Sequence, residues 1–415
     1  MMPRRFLCQP QWKEYGGREN GGKFAYCKKI CIFAHKEIHS SSHTTMSKTR
    51  NTIAWLLWPL TMWYGIAVRI RNLLFGMGIL KESAMPVTTI GVGNLACGGT
   101  GKTPMVEYLL RLLSEEYRTA LLSRGYRRAS KGYVEDDGSA DARLLGDEAA
   151  MVAHKFPHVK VAVCEKRTEG VRRLLHGDEP PQLVVMDDIY QHRFVKPTVN
   201  ILLTEYFHPY CSDRVLPFGN LREYRRASKR ANIIIVTKSP EKPYPLEMRN
   251  LEQKLRVKPY QKLYFSYIVY GTPVALLPGD GQPATVELNR VTQVLLVCGI
   301  ANPGPLVQYL KKKCKVSPLI FKDHHRYTAA DMARIRQRFE QLNVPSRIIL
   351  TTEKDASKLR DEAGREALAG LPVYVLPIRV AFHNGRDDNF DETLRNTVKE
   401  NVFFQQRISA REPMA

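Results

Sequence analysis

From residue 87 onward, short and continuously apolar runs alternate with amphipathic stretches. The runs are VTTIGVGN from 87, TALLS from 119, VKVAVC from 159, QLVVMDD from 182, VNILLTE from 199 and NIIIVTK from 232. Strands apolar on both faces belong in a parallel sheet covered on each side, and MVEYLLRLLSEEY from 105 has the periodicity of a covering helix. A doubly wound α/β domain is therefore expected over residues 86–259. Residues 260–287, with turn signals at Gly271-Thr-Pro and Pro278-Gly-Asp-Gly, read as an extended linker. TQVLLVCGI from 292, a helix around GPLVQYLKKK, RIILTTE from 347 and VYVLPI from 373 then predict a second, smaller α/β lobe over 288–385. Residues 386–415 are left as a C-terminal tail.

The N-terminal part has a different pattern. Residues 52–68 carry no charge and are rich in Trp and Leu, and Arg69, Arg71 and LLFGMGIL follow. The run falls short of the roughly 20 apolar residues that a spanning helix needs, and Pro59 interrupts it. Trp55, Trp58, Trp63 and Tyr64 suit a headgroup boundary, so region 46–85 is expected to hold an amphipathic helix lying on a membrane. Residues 1–45 have no apolar periodicity and many Lys and Arg, as in a disordered basic arm or an extension upstream of a start at Met46. Within them Cys27, Cys31, His35, His39 and His43 fall four apart, a spacing that alone is a weak metal motif.

Composition adds one constraint. The 415 residues include 63 Lys and Arg against 41 Asp and Glu, a formal charge of +22 that calls for an anionic partner. The basic residues are dispersed and no nucleic-acid-binding motif accompanies them, so an anionic membrane or a phosphorylated substrate is expected rather than nucleic acid. The 8 cysteines show no pairing pattern and read as reduced thiols.

The strongest chemical signal is Gly93-Asn-Leu-Ala-Cys-Gly-Gly-Thr-Gly-Lys-Thr103, between a β-run and an amphipathic helix. Small residues there let backbone N–H groups wrap phosphates, and the helix N-terminus adds positive potential. Lys102 would reach the β/γ-oxygens of ATP and Thr103 would hold Mg²⁺. Ala96 stands where the strict phosphate-loop pattern has its first glycine. Asp187 and Asp188 close the LVVMDD strand, where an acid of a phosphate-loop enzyme holds the metal. Asp147-Glu148 after Gly146, and Lys322-Asp323-His324-His325, offer a carboxylate and an imidazole for deprotonating a hydroxyl. Taken alone, each cluster fits a solvated loop or a capped helix start better than a catalytic role.

Taken in order, GNxxxGGTGKTP at 93–104, SRGY at 123–126, GDE at 146–148, DDxxQHR at 187–193, LPxGxLRE at 216–223, GIANP at 299–303, DHHxY at 323–327 and TTEKDAxKL at 351–359 resemble the tetraacyldisaccharide 4′-kinase family over about residues 50–385. The resemblance implies an ATP- and Mg²⁺-dependent kinase of lipid A assembly. Such an enzyme acts on the 4′-hydroxyl of an acylated glucosamine disaccharide 1-phosphate, at the cytoplasmic face of a bacterial inner membrane. It implies that Gly98, Gly99, Thr100 and Gly101 cradle the phosphates with Lys102 and Thr103, and that Glu148, Asp187, Asp188 and Glu223 surround the metal with Thr103. It further implies that Asp147 acts as base, oriented by His324 across the lobes, while Arg124, Arg222 and Arg226 are candidates for the substrate phosphate. This chain has Ile189 where the family often has glycine, which puts Asp188 in question. The loop by itself would also suit a partner-driven P-loop ATPase or a membrane-attached nucleotide-binding scaffold.

Overall fold

The computed structural model describes residues 62–411 apart from 127, 217, 278–282, 324, 361 and 384–388. The expectations for residues 1–45, including the Cys/His spacing, and for the start of the 52–80 stretch lie outside the described residues.

Nine strands form the larger sheet: β1 (Thr88–Asn94), β2 (Thr119–Ser123), β3 (Val134–Glu135), β4 (Lys160–Val163), β5 (Leu183–Asp187), β6 (Val199–Glu205), β7 (Ile233–Thr237), β8 (Lys262–Tyr270) and β14 (Ile378–Phe382). Their order is β14-β8-β7-β6-β1-β5-β2-β4-β3, parallel from β8 through β4. Alternate residues of each strand enter different cores. Ile90, Leu121, Val185, Ile201 and Ile235 pack in one cluster, whereas Leu122, Met186, Leu202 and Val236 pack in clusters on the opposite face. Helix α2 (Lys102–Leu113) buries Met105, Val106, Leu109, Leu110 and Leu113 on the first face, as its 3–4 spacing dictates.

Two segments differ from the sequence expectation. Within 260–287, β8 is a strand of the main sheet, paired in parallel with β7 from Lys262↔Ile233 to Phe265↔Val236. Its second half pairs antiparallel with β14, from Ser266↔Phe382 to Tyr270↔Ile378, so the chain leaves and re-enters the large sheet along neighbouring strands. Residues 386–415 contain a helix, Phe390–Arg411, whose Phe390, Leu394, Val398 and Val402 are buried in the α2-side core. Their spacing of four makes one apolar stripe, which the charged residues between them obscure in the sequence.

The second lobe is a five-stranded sheet of order β9-β13-β12-β10-β11, comprising β9 (Val274–Ala275), β10 (Gln293–Cys298), β11 (Lys315–Ile320), β12 (Arg347–Thr352) and β13 (Val373–Leu376). It docks through α8 (Glu353–Leu359) onto α3 (Asp147–Lys155) of the first lobe. Glu353 meets Lys155 at 2.6 Å and Lys358 meets Asp147 at 3.6 Å. Since the start of each helix contacts the end of the other, the two run antiparallel.

A further helix over 62–76 lies against the C-terminal edge of the large sheet. Tyr64 donates to Arg222 O (2.8 Å), Arg71 to Gln191 O (2.9 Å) and Arg193 to Asn72 Oδ1 (3.1 Å). Gly65 sits where any Cβ would collide with the Tyr224 hydroxyl, which explains a glycine inside a helix. The outer face exposes Trp63 (71%), Ile66, Ile70, Leu73 (60%) and Met77, spaced as one apolar stripe. Among the described residues no helix is long and apolar enough to cross a membrane.

Candidate active site

Strand β1 ends at Asn94, and the loop that follows turns into α2 at Lys102. Gly98 (φ 122°) and Gly101 (φ 86°) adopt the left-handed conformations that admit glycine readily. Asn94 Nδ2 donates to Thr100 Oγ1 (2.8 Å), closing the loop from within. Ala96, at the place of the pattern's first glycine, forms an antiparallel bridge with Leu221, a strand-like conformation that needs no glycine. On either side of it Cys97 N donates to Asn220 O (2.6 Å) and Arg222 N to Leu95 O (2.7 Å). The Leu216–Glu223 run is thus the outer wall of the loop, and Gln191 Nε2 braces it through Asn94 O (2.8 Å).

Asp187, at the tip of β5, is buried, and its Oδ1 has no hydrogen-bond partner among the described residues. Burial first, then the neighbouring Glu148 and Asp188 carboxylates, push its pKa up to about 7. Thr103, Glu148 and Asp187 line one cavity together with Ser123. A buried carboxylate with an open oxygen, a second carboxylate and a hydroxyl make an all-oxygen donor set that fits Mg²⁺.

Asp188 behaves differently. Burial alone would raise its pKa, but Lys102 (3.5 Å) and Arg222 (3.1 Å) outweigh it and hold this carboxyl well below the usual range. The positive φ of this turn falls on Asp188 (48°) and not on Ile189. Ile189 therefore replaces the family's frequent glycine without backbone strain, and it is buried against Gly91. A third cation, Arg167, is buried beneath the site and donates to Cys164 O (2.5 Å) and Asp187 O (3.0 Å). His192 is pushed down to about 3, by burial first and then by Arg167 and Arg124, so its imidazole is neutral in a strongly positive neighbourhood. That potential suits phosphate.

Asp147 begins α3 at the lobe interface, facing Lys358. His324 lies outside the described residues. Its neighbour His325 stacks on Phe321 (4.8 Å) and pairs with Asp331 (2.9 Å), which ties down the turn before α7 (Ala329–Glu340). Asp355 accepts from Gly299 N (2.9 Å) and Thr352 Oγ1 (2.7 Å), so the GIANP and TTEKDAxKL runs join the carboxyl ends of β10 and β12.

Glu223 is not brought to the cavity. Its carboxylate is taken by Arg230 (2.9 and 3.1 Å), and Asn72 of the N-terminal helix lies at 3.4 Å. A buried glutamate needs such a partner, and Arg230 supplies it at the opposite side of the Leu216–Glu223 wall. Sequence reasoning missed Arg167, which belongs to no motif run, and Gln191 as the brace of the loop. It also missed Thr237 and Lys238, whose only signal was their place at the end of the NIIIVTK strand.

Known proteins resemble this chain over most of its length. The profile of the family described as tetraacyldisaccharide-1-P 4′-kinase (LpxK) matches residues 53–399. The tetraacyldisaccharide 4′-kinase of Bacteroides fragilis is 41% identical over 356 residues, covering 83% of this chain and 93% of its own length. That of Flavobacterium johnsoniae is 42% identical over 352 residues, covering 85% and 99%. A crystal structure of apo-form LpxK from Aquifex aeolicus in complex with ATP superimposes with a TM-score of 0.64 at 27% identity, covering 84% of this chain and 99% of that one. By the length and identity of these matches, and by its phosphate loop beside a buried aspartate pair, the chain belongs to the tetraacyldisaccharide-1-P 4′-kinase family.

Proposed function

We propose that the protein transfers the γ-phosphoryl group of ATP to the 4′-hydroxyl of an acylated glucosamine disaccharide 1-phosphate, with the loop of residues 98–103 as its nucleotide cradle. The observation that carries this reading is the meeting of Thr103, Glu148 and the open Asp187 carboxylate in one cavity, next to the Lys102–Asp188 ion pair. Phosphoryl transfer asks the protein for positioning and charge stabilisation, and these groups supply both.

Thr103, Glu148 and Asp187 would hold Mg²⁺, which would supply positive charge to offset that of the phosphates. Asp188 serves to hold Lys102 and Arg222 in place, so that both cations face the phosphates from fixed positions. Glu223 is assigned to the N-terminal helix rather than to the metal, because Arg230 and Asn72 occupy it. Asp147, at the lobe boundary, takes the proton of the attacking hydroxyl, with His324 of the second lobe orienting it.

The apolar stripe of helix 62–76 lies on the far side of the segments Gln191–Arg193 and Arg222–Tyr224 from the phosphate loop. Resting on the cytoplasmic face of a bacterial inner membrane, that stripe brings a lipid headgroup within reach of the site while ATP arrives from the aqueous side. The association is peripheral or monotopic, and nucleic acid has no part in it.

The experiment that tests the reading measures ATP consumption with and without the lipid disaccharide 1-phosphate, and locates the new phosphate by fragmentation. Consumption that depends on lipid, with phosphate on the distal sugar, is expected. Consumption stimulated by a protein partner and indifferent to lipid would replace the kinase with a partner-driven ATPase.

A further inference from the structure

The carbonyls of the phosphate loop are held from outside by the residues that end β7. Thr237 Oγ1 donates to Thr100 O (2.8 Å), and the Lys238 ammonium donates to Gly99 O. Lys238 has φ 56°, a left-handed conformation that costs energy in a residue with a Cβ. Its ammonium also pairs with Glu205 Oε1 at the end of β6 (2.5 Å). The next residue is fixed as well: Ser239 Oγ donates to Ser266 O (2.9 Å) and lies 2.8 Å from His383 Nε2, at the strands that lead to and from the second lobe. A lysine held in strained backbone, between two anchored neighbours and with its charge met by a glutamate, is arranged as a clasp.

A planar peptide with its carbonyl fixed on one side must present the following N–H on the other. Pinning Gly99 O and Thr100 O toward β7 therefore aims the N–H groups of Thr100 and Gly101 away from β7. In this structure Thr100 N–H turns to Gly98 O (3.0 Å). We propose that Lys238 is a positioning residue for the nucleotide: it holds the phosphate loop in its receptive shape, with Glu205 as counter-charge, and touches no phosphate itself. The inference rests on the loop binding ATP as read above.

The test is calorimetric titration of Mg-ATP into the full-length protein, with steady-state kinetics beside it. The wild type comes first, since failure to bind Mg-ATP would sink the reading of the loop whatever Lys238 does. Given binding, Lys238→Ala should raise the ATP Kd and KM about tenfold, the scale of one charge-assisted hydrogen bond. At saturating ATP its kcat should stay within about threefold of wild type, the pattern of lost ground-state positioning. Lys238→Arg, which can still reach the carbonyl, should recover most of the affinity. Glu205→Gln leaves the clasp in place but removes its counter-charge, and should weaken ATP in the same direction by less, which keeps the proposal testable should Lys238→Ala not fold. A folded Lys238→Ala protein with wild-type ATP affinity would overturn it. So would a collapse of kcat at unchanged KM, which would make Lys238 part of the chemistry.

Discussion

Lys155, the last residue of α3, holds two glutamates at once: the buried Glu107 of α2 at 2.5 Å and Glu353 of the second lobe at 2.6 Å. Burial raises the Glu107 pKa and the Lys155 charge opposes that rise. The Glu353 carboxylate also accepts from Ile378 N (3.2 Å), where the chain returns to the large sheet. One ammonium thus ties the α2-side core to the lobe junction. Lys155→Met, which leaves Glu107 buried and uncompensated, should cost about 3 kcal/mol in chemical denaturation. Glu353→Gln, at the more open end, should cost about 1 kcal/mol or less. Equal and small losses would mean that the bridge is merely superficial.

Asp187 is the carboxylate with an open oxygen, whereas Asp188 is already bound by two cations. Asp187→Asn should therefore raise the Mg²⁺ concentration needed for half-maximal activity by about tenfold or more. Asp188→Asn, by releasing Lys102 and Arg222, should chiefly lower kcat. A Mg²⁺ titration of each variant checks this, and identical Mg²⁺ curves for wild type and Asp187→Asn would remove Asp187 from the metal.

The outward stripe of helix 62–76 is apolar while its inward face is bonded to the core, so surface substitutions there should spare the fold. Ile70→Asp with Leu73→Asp should abolish flotation with anionic vesicles and raise the apparent lipid KM, with the melting temperature nearly unchanged. Deleting residues 1–45 should leave activity intact. Persistent flotation of the double variant would place the attachment elsewhere.

Asp147 stands at the lobe boundary, and His324 is proposed as its partner. If they act as one acid–base unit, Asp147→Asn and His324→Ala should each lower kcat with little change in ATP affinity. The double variant should then be scarcely worse than the poorer single one. Fully additive losses would separate the two residues.

Much of this was readable before the structure because it is local. Each apolar run that marked a strand is one, since continuous burial on both faces leaves its mark residue by residue. The phosphate loop is likewise a contiguous signal of glycines, Lys102 and Thr103. What escaped depended on contacts and backbone conformations that leave no local pattern. Glu223 looks like a metal ligand until Arg230 and Asn72 are seen to hold it. Ile189 looks like a damaged turn until the positive φ is found on Asp188. Helix Phe390–Arg411 reads as polar because its Phe390, Leu394, Val398 and Val402 stripe is narrow, and only the α2-side core shows what the stripe is for. Lys238 carries no motif at all, and its contact with Gly99 exists only because β7 lies beyond β6 in the sheet.

The central claim is that the protein moves a phosphoryl group from ATP to the lipid with Lys102 at the phosphates. Mass spectrometry of the lipid disaccharide 1-phosphate, after incubation with Mg-ATP and either wild type or Lys102→Ala, tests it most directly. The wild type should add one phosphoryl group, and the folded variant should do so at least ~10²-fold more slowly, the scale of losing one transition-state electrostatic contact. An unchanged lipid mass with active, ATP-bound wild type, or equal rates for the two proteins, would contradict the account.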